Sequence, residues 1–259
     1  MAPMKSPRRA LARAIVPVPV AVLLAVLLFA SAALAQWSGD PAQNLPVADR
    51  AGGETIPLVA STSDGGSYVA WFDPTDGSYQ VRLQRLNAVG APQWPHNGIL
   101  ISSHSQDSAL FGWDMIADSS DNAVIVFSDE RNGGDLDIYA YRISPTGQFL
   151  WGADGVALSD NPDFEPAPRV VEASDGDFVF VWQRDPSTGS GDIRMQRLSP
   201  AGAPRLAAGG VPIVSALNED PGFAIMVPAD NGTVIVGWLR NIRTFSSPRH
   251  LRARKFSPA

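Results

Sequence analysis

The chain has no cysteine. No disulfide can brace it and no thiolate can serve as nucleophile, so its fold rests on buried core alone. Histidine is scarce: His96, His104 and His250 are the only three, and no two stand at metal-ligand spacing. There is no Gly-x-Ser-x-Gly elbow for a serine nucleophile, and no glycine loop precedes a helix to cradle phosphate. No Asp-x-Asp-x-Asp-Gly loop offers calcium its oxygen ligands. After Ala35 no apolar run could span a membrane and no stretch reads as a helix. Catalytic, cofactor-binding and metal-ligating motifs are therefore all absent, and no cofactor is implied.

Acid is missing from both ends. All 26 acidic residues lie between Asp40 and Asp230, while Lys5, Arg8, Arg9 and Arg13 stand at the start. An uncharged stretch from Ala14 to Ala30 follows, then the small residues of Ala33-Leu34-Ala35. This pattern predicts an export signal over 1–35, cleaved before Gln36. Pro17 and Pro19 interrupt the apolar run, which falls short of the roughly 20 residues of a membrane anchor. The predicted mature chain, 36–259, is secreted or extracytoplasmic (periplasm or cell surface) and forms one domain. Against the 26 acids it carries 16 basic residues. Its surface is net acidic, which argues against nucleic acid as a partner. After Asp230 only basic charges remain: Arg240, Arg243, Arg249, Arg252, Arg254 and Lys255. That patch is expected to face the acidic remainder of its own protein.

What is present repeats. An apolar strand ending near an aromatic recurs at Tyr68-Val69-Ala70-Trp71, Val124-Ile125-Val126-Phe127, Val179-Phe180-Val181-Trp182 and Ile235-Val236-Gly237-Trp238. The aromatics stand at 71, 127, 182 and 238, a period of about 56 residues. A turn containing Asp64, Asp121, Asp175 or Asp230 precedes each strand, with Gly or Asn neighbours that tolerate positive φ. A later strand carries Arg85-Leu86, Arg142-Ile143, Arg197-Leu198 or Lys255-Phe256. Turns such as Ser144-Pro145-Thr146-Gly147 follow, then a last strand opening on Trp94 or Trp151. Each unit thus reads as four strands, A to D. One such sheet cannot bury both its faces, but copies stacked around an axis can.

The predicted fold is all-β: a β-propeller of four blades, each of four antiparallel strands. Residues 36–48 resemble strand D, and the chain stops at Ala259 where the last strand D is due. Pairing 36–48 with 249–256 would close the ring and remove two raw edges. The pattern apolar-apolar-Trp-x-Asp, Asp-Ile-Tyr or Asp-Ile-Arg, Arg-Leu or Arg-Ile, Ser-Pro-x-Gly, Trp, Gly-Val or Gly-Ile resembles the long repeats of bacterial exported and cell-surface β-propeller proteins. The resemblance covers essentially all of 36–259. It implies a fold and an extracytoplasmic setting, and carries over no functional residue.

A residue present in every copy is architectural, because an active site needs only one; function is sought where the symmetry breaks. Asp73, Asp129 and Asp185 follow strand B at intervals of 56, with Asp137 and Asp192 before strand C. In the second copy Asp129, Glu130, Asp135 and Asp137 lie close together. These acids are expected to cap loops or pair with the recurring Arg. Thr62-Ser63-Asp64-Gly65-Gly66 is expected to be a turn. Two stretches break the pattern: 104–113, with His104, Phe111 and Trp113, and the basic loop 240–250 with Phe245. The leading expectation is an exported non-enzymatic binding or scaffold module for a glycan, a peptide or an envelope protein. One alternative is a sialidase-like or related propeller glycan hydrolase or lyase, which requires carboxylates and arginines gathered asymmetrically on one face. Another is a structural fragment of a larger surface protein, with an open edge.

Overall fold

The computed structural model describes residues 37–104, 112–131, 135–215, 220–240 and 248–257. The predicted export signal lies outside them. Four antiparallel sheets follow one another along the chain. The first is β1 (Thr55–Ser61), β2 (Ser67–Asp73), β3 (Gln80–Leu86) and β4 (Ile99–Ser102); the second is β5 (Asp114–Ala117), β6 (Ala123–Asp129), β7 (Asp137–Ile143) and β8 (Val156–Ala157). The third is β9 (Arg169–Glu172), β10 (Phe178–Arg184), β11 (Asp192–Leu198) and β12 (Val211–Ser215). The fourth has three strands, β13 (Gly222–Pro228), β14 (Val234–Arg240) and β15 (His250–Phe256).

The turn chemistry does what its residues predict. Gly65, Asp121, Gly176 and Asn231 all take positive φ, and each first hairpin is closed by one backbone pair, such as Thr62 N–H to Gly66 O and Asp118 N–H to Asn122 O. The recurring basic residue of the third strand pairs with an acid of the same turn. Arg85 meets Asp64 at 2.6 Å, Arg142 meets Asp118 at 2.6 Å, Arg197 meets Asp177 at 2.9 Å, and Lys255 meets Asp230. The same turns tie sheet to sheet: Ser63 N–H donates to Asp121 Oδ1 at 2.7 Å, and Ser119 N–H to Glu172 Oε2 at 2.6 Å.

Alternation along each strand splits the core into three joints. Tyr68, Ala70 and Phe72 of the first sheet pack on Ile125, Phe127, Tyr139 and Tyr141 of the second. Val124, Val126, Ile138 and Ala140 turn the other way, onto Phe178, Phe180 and Trp182 of the third. Val179, Val181 and Ile193 meet Val234 and Val236 of the fourth. A strand buried on both faces has to be apolar throughout, which is why every residue of β6 is buried. The first strands β1, β5, β9 and β13 lie side by side in that order.

The N-terminal stretch takes the strand D position in one respect. Trp37 lies against Gly90, as Trp94 lies against Gly147 and Trp151 against Gly202, all three glycines having positive φ. Trp37 Nε1 donates to Ala88 O at 3.2 Å, and Trp151 Nε1 donates to the matching Pro200 O at 3.1 Å. The expected ring closure, however, is not found among the described residues. Residues 37–48 add no strand to the fourth sheet, and among the described residues β15 pairs only with β14. Pro41 and Pro46 cannot donate to a ladder. The chain beyond them is held on the first sheet, by Asp49 N–H to Asn97 Oδ1 at 2.8 Å and Arg50 to Asp73 at 2.7 Å.

Asp73 is fully buried between Arg50 and Arg82, whose Nε atoms lie 2.7 and 2.8 Å from Oδ2. Burial alone would push its carboxyl up, but the Thr75 hydroxyl and amide and the two guanidiniums bring it below the usual range. Asp73→Ala strips the mostly buried Arg82 of its anion and leaves Arg50 only the exposed Asp76 at 3.0 Å, and is expected to cost about 3–5 kcal/mol at pH 7. A lowered carboxyl stabilises the fold above its unfolded value near ~4, and this is lost as pH falls through the lowered value. Urea melts of the two proteins should therefore converge as pH drops below that range; a constant gap would contradict the assignment.

Candidate functional site

The register across the second hairpin shows which residues are true repeats. Asp73 stands opposite Gln80, Asp129 opposite Asp137, Arg184 opposite Asp192, and Arg240 opposite His250. Position 184, not 185, is the counterpart of 73 and 129. The even spacing of Asp73, Asp129 and Asp185 is thus coincidental: the aromatics step by 55 from 127 to 182, and the acids by 56. One residue of slip turns a strand's side chains to the opposite face. Arg184 takes the strand-end position and pairs with Asp192 at 2.7 Å and Asp163 at 3.3 Å. Asp185 is carried round to the other side, bridged through its backbone to Phe164.

The in-register acids serve the architecture. Asp129 is buried under Arg131, whose Nε lies 2.9 and 3.0 Å from its two oxygens, and Asp137 accepts Asn161 N–H at 3.0 Å. Of the two expected roles, capping loops and pairing with the recurring arginines, they take the first, Asp129 also accepting Arg131 N–H at 3.2 Å. Arg85 and Arg142 sit at the far end of seven-residue strands, about 17 Å from these acids at the rise of a strand. Glu130 is also engaged. Among the described residues no three His, Asp or Glu side chains gather as a metal would need. Trp113, in the 104–113 stretch that breaks the repeat, is buried, its ring 4.3 Å from that of Phe72. His104 lines a small hollow of about 140 Å³ with Ser102 and Tyr141. His96 Nε2 lies 2.7 Å from Asp49. Phe111, Phe245 and most of the 240–250 loop lie outside the described residues.

Asp185 faces the joint between the third and fourth sheets. There Gln183, Asp185, Pro186, Gly191 and Asp220 line a hollow of about 250 Å³. Gln183 Nε2 donates to Asp185 Oδ2 at 2.8 Å, and Gly191 N–H donates to Asp220 Oδ1 at 3.4 Å. A Cβ on Gly191 would sit 2.7 Å from Asp185 Oδ1 and 3.8 Å from Asp220 Oδ1. Both carboxylates therefore border the same space, next to a glycine that leaves it open. A larger groove of about 500 Å³ lies between the second and third sheets, with Asp160, Asn161, Arg184 and Arg194 on its walls. Its cations are committed to Asp192 and to the Gly209 carbonyl, and it offers no facing pair of acids.

Two further carboxyls near the first strands are perturbed. Burial pushes Glu165 up, against hydrogen bonds from Ser159, Asn161 and Trp182; Trp182 Nε1 donates to its Oε1 at 3.0 Å. Burial also pushes Asp114 up, against the Val170 amide and Arg169. In register, Leu58, Asp114, Arg169 and Ile225 occupy one position of the four first strands, so the acid and the arginine break the repeat there. Asp114 Oδ2 accepts Val170 N–H at 3.1 Å and so braces one sheet to the next. Sequence reasoning missed Asp220, Gln183 and Gly191. The mismatch between the aromatic and acid spacings was the one signal pointing towards them.

No family model and no curated protein sequence matches the chain. Solved structures do. Alpha-L-arabinanase of Penicillium chrysogenum, complexed with arabinobiose, is similar over 78% of this chain and 62% of its own, at 12% identity and a TM-score of 0.51. Ulvan lyase, a polysaccharide lyase, is similar over 82% of this chain and 54% of its own, at 15% identity and a TM-score of 0.54. The chain spans between half and two-thirds of the length of these structures. The leading expectation of a non-enzymatic binding or scaffold module is corrected by this finding, since the similar structures are those of glycan-cleaving enzymes. The fold is all-β and of the β-propeller class, built here from four antiparallel sheets.

Proposed function

We propose that this protein is a glycan-cleaving enzyme, a glycoside hydrolase working through Asp185 and Asp220. The observation that carries the reading is that these two carboxylates border one hollow, at the place where the repeat slips. Glycoside hydrolysis needs this pairing: one carboxylic acid protonates the departing glycosidic oxygen, and the other carboxylate attacks the anomeric carbon or activates a water. Gln183 holds Asp185 by Oδ2, with Oδ1 towards the hollow. The fold likeness to arabinanase and ulvan lyase supports a polysaccharide as substrate class. Elimination would need a cation against a uronate carboxylate, and the hollow's described lining contains none. Export through residues 1–35 fits a substrate met outside the cytoplasm and belongs to the same proposal.

The test is turnover of arabinan, xylan and ulvan by the purified protein, with products resolved chemically. New reducing ends without ultraviolet-absorbing unsaturated ends are expected. Unsaturated ends would make the protein a lyase and overturn the hydrolase reading. No cleavage of any polysaccharide by folded protein would overturn the enzyme. Gly191→Ala provides a check on geometry. The new methyl forces the Asp185 carboxylate aside, and displacement of about 1 Å is expected to cost on the order of 10²-fold in turnover without unfolding the protein.

A further inference from the structure

We infer that two copies of this chain join head to tail, the bare face of the fourth sheet in each receiving the first sheet of the other. The three internal joints are built from two half-surfaces, and each half-surface is left uncovered once, at opposite ends of the stack. On the fourth sheet, Leu251 occupies the register position of Val81, Ile138 and Ile193. Those three are 1%, 0% and 0% exposed, whereas Leu251 is 80% exposed. Ile235 likewise matches Tyr68, Val124 and Val179, all buried, yet it is 40% exposed. Around them Phe223, Ile225, Trp238, Leu239 and Ala253 form an apolar groove of about 460 Å³.

The first sheet shows the complementary lack. Val59 stands in register with Met115 and Val170, which are 6% and 2% exposed because a preceding sheet covers them; Val59 is 68% exposed. The occupant that fits each bare half is therefore the other half. Within one chain the two halves do not cover one another, since Leu251 and Val59 are both left exposed. A second copy supplies both at once, through two equal joints. Eight sheets is the upper end of the usual propeller range of about four to eight, so two copies close where three would exceed it.

The experiment is light scattering of the purified protein across a concentration series, with Leu251→Asp and Val59→Asp alongside. Both side chains are exposed in the single stack, so neither substitution threatens folding, which circular dichroism confirms. The wild type is expected at twice the mass of one chain and each variant at the mass of one. An equimolar mixture of the two variants should regain association, because one joint between them is unaltered. A monomeric wild type at all concentrations overturns the inference, whether its ends are bare or joined within one chain. So does a dimer that survives Leu251→Asp, or a mass that keeps growing beyond two copies.

Discussion

Replacing Asp185 with Asn is expected to lower glycan turnover by on the order of 10²–10⁴-fold, with thermal unfolding unchanged. The reasoning separates this acid from its neighbours. Asp73 and Asp129 are buried and ion-paired, so removing their charge would damage the fold before it told anything about chemistry. Asp185 lies one residue past the end of β10, and an amide oxygen can still accept the hydrogen bond from Gln183 Nε2. What Asn removes is the capacity to carry a proton or a negative charge at Oδ1. Asp220→Asn is expected to act in the same way, and the double variant should fall little further, because residues that act as a unit are not additive. The loss should appear in kcat with KM nearly unchanged. A loss confined to KM would make the pair a binding feature, and a loss of tenfold or less would move the chemistry elsewhere.

The largest expected effect on stability is that of Trp182→Ala. The indole is fully buried in the joint between the second and third sheets, in one cluster with Trp151, Phe178 and Phe180. Truncation costs about 3–5 kcal/mol from lost burial and the cavity left behind. It also deprives Glu165 Oε1 of its indole donor inside a site with no exposure. For a chain of this size that corresponds to a fall in melting temperature of roughly 6–20 °C. Trp238 stands at the same register position of the fourth sheet but is only partly buried. Trp238→Ala should therefore cost distinctly less. Equal losses would show that the sheets are not stacked in the order described.

The architecture was legible in the sequence because burial leaves a periodic trace. A strand covered on both faces must be apolar throughout, and a tight turn needs Gly, Asn or Asp, so four copies of both features give four sheets. Their order followed from the short connections. Closure was not legible. Gln36-Trp37 to Ala48 looks like strand D, and Trp37 does take the indole position of Trp151 on the next turn. Whether a segment then forms a ladder depends on where its donors go, and Asp49 and Arg50 spend theirs on the first sheet. The site was legible only in part. Asp185 was visible as an acid, but equal spacing made it look like one more repeat, and only the strand register shows the slip. Asp220 belongs to no repeat, and its approach to Gly191 is a contact across 29 positions of sequence that no spacing announces.

Binding of a glycan over the hollow between the third and fourth sheets underlies the proposed activity. It is tested most directly by carbodiimide labelling of carboxyl groups, read residue by residue by mass spectrometry, with and without a saturating oligosaccharide product. Protection concentrated at Asp185 and Asp220, with Asp160 and Asp64 labelled equally in both states, is the predicted result. Protection at Asp160 or Asp163 with Asp185 unaffected would place the glycan in the groove between the second and third sheets and contradict the account.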